Sequence, residues 1–428
     1  MGSARMTIKT LVSLAGIIGL VVMLAGSVSA GQRTLTIIAE DHWVPSYNPE
    51  LKRQIEEWGA KRGVATQVDF VGTRNSSAKL AAELGAKKGH DLITMHWTSP
   101  GLYQPNLAPL DDVATALEKA SGPWTDSARY LSYLNGHWRA IPSHHEPSPA
   151  NINVKYWKQI GFEPDQVGQL TWDQFLDAAK RLKDINHPVG MALSLDGDAA
   201  NWLYPLLWSF GGRTVDKDEK VVVDSKETRN MMEYVKKLYP LMPREVVGWS
   251  GADNNLCMHS ETCSWTSNGP TIYGVARMKN LPVLPYLDHV AFPSGPAGRV
   301  TSQSYSFWGI WNFSPNIDLA KDLLAFLMQK ENYYKQIEAC WGVYLPDLKA
   351  FEAHPIWHKG DALRNLVPET KLGEPHPYIW PAPPGPGSTL EYETAILSTA
   401  TAKVATGDAT VDEGIAWLKN RLELVHKK

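Results

Sequence analysis

Leu35-Thr36-Ile37-Ile38-Ala39-Glu40-Asp41-His42-Trp43 and Asp91-Leu92-Ile93-Thr94-Met95-His96-Trp97 share one pattern, an apolar run that ends in polar and aromatic residues. Short apolar runs without polar alternation predict strands buried on both faces. Between them, Leu51, Ile55 and Trp58 lie at helical spacing over 49–59, residues 64–71 repeat the strand signal, and Leu80, Ala81 and Leu84 line one face of a helix over 77–88. Strands separated by helices of this length predict a parallel sheet with right-handed crossovers. Ligands of such sheets sit beyond the carboxyl ends of the strands, and the two ends here carry Asp41, His42, Trp43, His96 and Trp97.

Outward from this unit the theme recurs, with helices expected at 172–183, 202–210 and 226–239. The chain has 428 residues, long enough for two or three lobes. Ile141-Pro142-Ser143-His144-His145-Glu146-Pro147-Ser148-Pro149 contains three prolines, which break a helix and stiffen an extended chain; it reads as a crossing between lobes. Irregular stretches at 293–298 and 381–387 precede further elements. No repeat of fixed period is visible.

The first thirty residues stand apart. Arg5 and Lys9 precede an uncharged run from Leu11 to Gly26, and Ser27-Val28-Ser29-Ala30 provides small residues before Gly31. This is the pattern of a secretory signal peptide cleaved after Ala30; the alternative, a membrane anchor, needs roughly 20 apolar residues. Ser27 stands where a lipoprotein carries cysteine, so the expected product is periplasmic and not lipid-anchored. In an exported chain Cys257 and Cys263 could close a disulfide loop, and they lack the second pair that a zinc site needs. Cys340 reads as a small buried hydrophobe.

The 42 basic and 45 acidic residues give a net charge of −3, which disfavours nucleic-acid binding through a general basic field. Seventeen Trp and 16 Tyr against 9 Phe is an excess of rings that carry a polar handle. No H-E-x-x-H, G-x-S-x-G, P-loop or G-x-G-x-x-G occurs, and S-x-x-K at 76–79 lacks its companion motifs. His144, His145 and Glu146, with His42 and His96, could assemble a metal or acid–base site, but hydrogen bonding along a hinge is the expected role, with no metal and no cofactor.

Several segments together resemble a known family. Asn135-Gly136-His137-Trp138-Arg139-Ala140-Ile141-Pro142 is similar to "DGKWYAVP", residues 153–161 to "YNKDLFKKAG", and Thr171-Trp172-Asp173-Gln174-Phe175 to "TWDEF". Phe210-Gly211-Gly212, Ser314-Pro315-Asn316 and Thr410-Val411-Asp412-Glu413 match later segments in the same order. Each match is weak alone; their collinearity over about 280 residues is the signal. The chain thus resembles the extracellular solute-binding proteins of family 1, the maltose-binding-protein-like receptors of ABC importers. That resemblance implies a two-lobed α/β fold, each lobe a mostly parallel sheet flanked by helices, with lobe I at 31–143 and 301–345, and lobe II at 144–300 with C-terminal helices at 346–428. It implies no catalysis, a monomer, a small-molecule solute caught by hinge closure, and an inner-membrane permease as partner. Residues 389–392 depart from the maltose receptor, whose aromatic is replaced by Glu391 or Tyr392.

A sugar ring rests its C–H face on an indole while its hydroxyls bond polar groups. Asp41, His42, Trp43, His96, Trp97, His144, Glu146, Trp202, Trp265, Asn268, Tyr305 and Trp380 are the expected ligand-binding residues on this argument. The alternatives are a quaternary ammonium in an aromatic cage, a glycerol phosphodiester held by Arg74, Arg139 or Arg299, and a glycan hydrolase or lyase using Glu40, Asp41 and Glu146.

Overall fold

The computed structural model describes residues 33–427 except 361 and 368, so the signal-peptide reading of 1–30 lies outside the described residues. The first lobe opens as expected: β1 (Thr34–Glu40), α1 (Tyr47–Arg62), β2 (Ala65–Val71), α2 (Thr73–Ala86), β3 (Leu92–His96) and a short α3 (Ser99–Tyr103). β1 pairs in parallel with both β2 and β3. Leu35, Ile37, Ile38 and Ala39 are all fully buried, because helices cover both faces of the strand.

The proline-rich crossing is strand β4 (Ile141–Pro147), which continues through Ser148 and Pro149 into β5 (Ala150–Asn153). Trp172–Asp184 forms α4, Gly197–Ser209 α5 and Lys226–Leu238 α6. β6 (Trp265–Ser267) and β7 (Leu287–Val290) flank β5 in the second, smaller sheet. Both of its ladders are antiparallel, unlike the parallel arrangement expected there, because β5 arrives straight from the crossing and runs against its neighbours.

The 11-residue β8 (Val300–Ile310) brings the chain back. It pairs antiparallel with β3 and β4, and in parallel with β9 (Glu374–Pro377). The C-terminal helices α7 (Pro386–Glu393), α8 (Ile396–Thr406) and α9 (Val411–Val425) follow. Two of them, α8 and α9, pack on α6, while α7 also reaches α3 of the first lobe. There Thr98 and Thr389 share a hydroxyl hydrogen bond of 3.0 Å, and Ser77 donates to Glu393 at 2.7 Å.

Local devices explain several boundaries. Thr171 accepts from the Gln174 N–H while Gln174 accepts from the Thr171 N–H, a reciprocal cap on α4. Thr410 and Glu413 repeat it on α9. Gly211, just past α5, takes φ 92°, a conformation costly to a residue with a Cβ. Cys257 and Cys263 are disulfide-bonded and Cys340 is buried. Among the described residues, no helix is long and apolar enough to cross a membrane.

Candidate solute-binding cleft

Period-two alternation along β8 builds the floor of the site. Ser304 and Ser306 point to one face; Ser306 lies in register with His96 on β3 and His144 on β4, and Ser304 with Glu146. All five side chains line a cavity of about 470 Å³ between the lobes. The intervening residues face the other way: Tyr305 and Gln303 line a separate cavity behind the sheet, and His145 pairs with Asp347 at 3.0 Å.

The first-lobe wall comes from the two strand ends. Trp43 follows β1 and is 47% exposed, large for a tryptophan. Its indole crosses toward the second lobe, where a Cβ on Gly251 would lie 3.3 Å from the ring. Trp97 follows β3 with φ 55°, a left-handed conformation that costs a bulky residue about 1–3 kcal/mol. The strained turn sets its indole against Tyr392 of α7, ring centroids 4.4 Å apart. Tyr378 continues the aromatic row at 4.9 Å from Tyr392, and Tyr344 stacks on His144 at 3.4 Å.

The second-lobe wall is the amino end of α5 with the loop after β6. Asp196 caps the helix by accepting from the Asp198 N–H at 3.1 Å, and Asn201 donates to Asp198 at 3.3 Å. Asp196, Asp198 and Asn201 all line the cavity, as do Asn268 and Gly269. A Cβ at Gly269 would sit 1.9 Å from Glu146 Oε1, so a larger residue there would displace the carboxyl.

Burial governs the charges. Glu40, at the end of β1, is pushed up to about 7, chiefly by desolvation, although hydrogen bonds from Ser306 and Tyr344 oppose the rise. Glu146 is held well above the ordinary carboxyl range by burial and then by Glu40 and Asp198. Burial drives the imidazoles the other way, His96 down to about 4 and His144 well below its usual value. The lining therefore combines five carboxyl residues, Glu40, Glu146, Asp196, Asp198 and Glu393, with neutral imidazoles. No described lysine or arginine side chain lines it.

Of the twelve expected residues, the structure brings Trp43, His96, Trp97, His144, Glu146 and Asn268 to one cavity. The other six stand outside it and are corrected here. Asp41 is exposed and accepts from Asn48 at 2.7 Å. His42 lies behind the wall, sandwiched between Tyr47 and Tyr344, with Nδ1 accepting from the Val44 N–H. Trp202 faces the core of the second lobe, its indole N–H donating to Ala192 O at 2.7 Å. Trp265 is fully buried between Phe175 and Phe292. Tyr305 is on the reverse of β8. Trp380 stacks flat on His376 at 3.7 Å under the Arg213 guanidinium.

The sequence reading missed Tyr344, Tyr378, Asp196, Glu393 and the two serines as parts of the site. Alternation along 300–310 would have found Ser304 and Ser306; the two tyrosines arrive from distant segments and carry no local signal. Of the arginines considered for an anion, Arg139 donates to Leu107 O and Arg299 to the carbonyls of Gly168 and Phe292, and the Arg74 side chain lies outside the described ones. Among the described residues, no group of three or more His, Cys, Asp or Glu is placed to hold a metal.

The architecture matches solved structures along nearly its whole length. Maltose-bound MalE3 of T. maritima superposes with a TM-score of 0.78 at 17% identity, covering 91% of this chain and 99% of that one. An ABC transporter solute-binding protein from Thermotoga lettingae, with bound α-D-tagatose, gives 0.80 at 19%, covering 92% and 100%. A sugar transporter from Arthrobacter chlorophenolicus with bound laminaribiose gives 0.79 at 14%, covering 93% and 100%. At such identities these likenesses show the fold. No curated protein matches the chain significantly. Residues 54–365, more than two thirds of the chain, match the family described as bacterial extracellular solute-binding protein, and to that family this chain belongs.

Proposed function

We propose that the protein is the periplasmic receptor of an ABC importer and captures a hydroxyl-rich solute, a carbohydrate or polyol, between its lobes. The carrying observation is the cavity lining: the indoles of Trp43 and Trp97 with Tyr392 stand beside Glu40, Asp196 and Asp198, the combination of ring platforms and hydroxyl acceptors that a pyranose requires. The sugars held by the similar structures support the same class.

A solute in contact with both lobes favours the closed state, and a permease then reads the closed shape. Shifting a population from 1:99 to 99:1 takes about 5.5 kcal/mol of differential affinity, within reach of a few stacked rings and charge-assisted hydrogen bonds. The test is isothermal titration calorimetry against a panel of neutral and amino mono- and disaccharides and polyols. Saturable binding without product is expected, and Trp97→Ala should weaken it by about tenfold or more, on the order of 1.4 kcal/mol, with an unchanged circular dichroism spectrum. Equal affinity in parent and variant contradicts the proposal.

A further inference from the structure

The cleft lining is rich in acceptors, with five carboxyl residues and no described lysine or arginine side chain. Ser306 Oγ donates to Glu40 Oε2 at 3.2 Å and lies 3.1 Å from His96 Nδ1. With Glu40 ionised and the Ser306 hydroxyl proton directed at it, Ser306 accepts from His96, so His96 carries its proton on Nδ1 and presents a bare Nε2. That nitrogen is buried without a hydrogen-bond partner, on a side chain only 5% exposed that lines the cavity. Glu146 Oε1 is likewise buried and unpartnered. On the opposite wall Asn201 Nδ2 donates to Asp198 and Asn268 Nδ2 to Asn255, each through one of its two N–H groups. Ser77 is committed to Glu393.

Unmatched buried acceptors beside surplus carboxyl groups disfavour a solute whose groups are mainly acceptors and favour one rich in N–H. We propose that the solute carries a primary ammonium on its hydroxylated frame, an amino sugar or amino polyol, with the ammonium against Glu146 and a further donor on His96 Nε2. A quaternary ammonium lacks the N–H groups that both acceptors require, and a phosphodiester would meet five carboxyl residues. The inference rests on the reading of this cleft as a hydroxyl-recognising site.

The groups that face Glu146 are Glu40, Asp198, Tyr344 and Tyr378, together with His144 along the same strand. None of them is a cation at neutral pH, because burial keeps His144 neutral. A bound ammonium would relieve the repulsion among the three carboxyls.

Calorimetric titrations at pH 7.5 with D-glucosamine, D-glucose, N-acetyl-D-glucosamine, D-galactosamine, D-galactose and choline chloride test this. The expected result is that an amino sugar binds at least about tenfold more tightly than its neutral and N-acetylated counterparts. In Glu146→Gln that preference should disappear, with thermal denaturation verifying that the variant is folded. Neutral or N-acetylated sugars binding as tightly as the amines would overturn the proposal, as would an unchanged preference in Glu146→Gln or no amino sugar binding at millimolar concentration. Choline binding as tightly as the amino sugars would instead overturn the hydroxyl-recognising reading beneath it.

Discussion

Replacing Glu40 by Gln should stabilise the protein at alkaline pH, although it removes a side chain that lines the cleft. The buried carboxyl rises from its ordinary 4.5 to about 7, so the folded state holds a proton that the unfolded chain releases. Between about pH 4.5 and 7 the folded state therefore binds more protons, and stability falls as pH rises through that window. At about 1.4 kcal/mol per pH unit, the ionised carboxylate destabilises the fold by about 3 kcal/mol above pH 7, an upper value because the new amide N–H groups also need partners. Gln retains an oxygen to accept from Ser306. Urea unfolding of parent and variant at pH 4 and pH 8 is the assay. The variant should be the more stable at pH 8, by up to about 3 kcal/mol, with the difference shrinking toward pH 4. The buried imidazoles of His42 and His96 are pushed down and act with the opposite sign, gaining stability as pH rises, but they are common to both proteins and cancel. A variant less stable than the parent at pH 8, or an offset equal at both pH values, refutes the reasoning.

Trp265→Ala removes a fully buried ring between Phe175 and Phe292 and should lower unfolding free energy by about 3–5 kcal/mol, read by urea denaturation; a stable variant that has lost solute binding would return Trp265 to the cleft. The double change Cys257→Ser and Cys263→Ser opens a short loop and should lower stability by about 2 kcal/mol, whereas an unchanged melting temperature would show that the bridge contributes nothing.

The elements of the first lobe were legible because their apolar spacing is strong and local. The runs 35–39 and 91–95 became β1 and β3, and Leu51, Ile55 and Trp58 became the buried face of α1. Strand ends were a partial guide to the cleft: Trp43, His96 and Trp97, at or just past the ends of β1 and β3, line it, while Asp41 and His42 after the same β1 do not. Position beside a polar residue was a poor guide for Trp202, which lies inside α5, and for Trp265, since an indole in a helix or strand satisfies its N–H on a backbone carbonyl or packs among aromatic rings as readily as it meets a solute. Tyr344 stacks on His144 from a segment far beyond β4 in the chain, and Tyr378 and Glu393 enter from still later segments, a juxtaposition made by the crossings and invisible to local periodicity.

Small-angle X-ray scattering of the protein, with and without the tightest-binding solute from the titration panel, bears most directly on capture between two lobes. Closure around the solute predicts a smaller radius of gyration and a shorter maximum dimension in the bound sample. Superimposable profiles at saturating solute would contradict it.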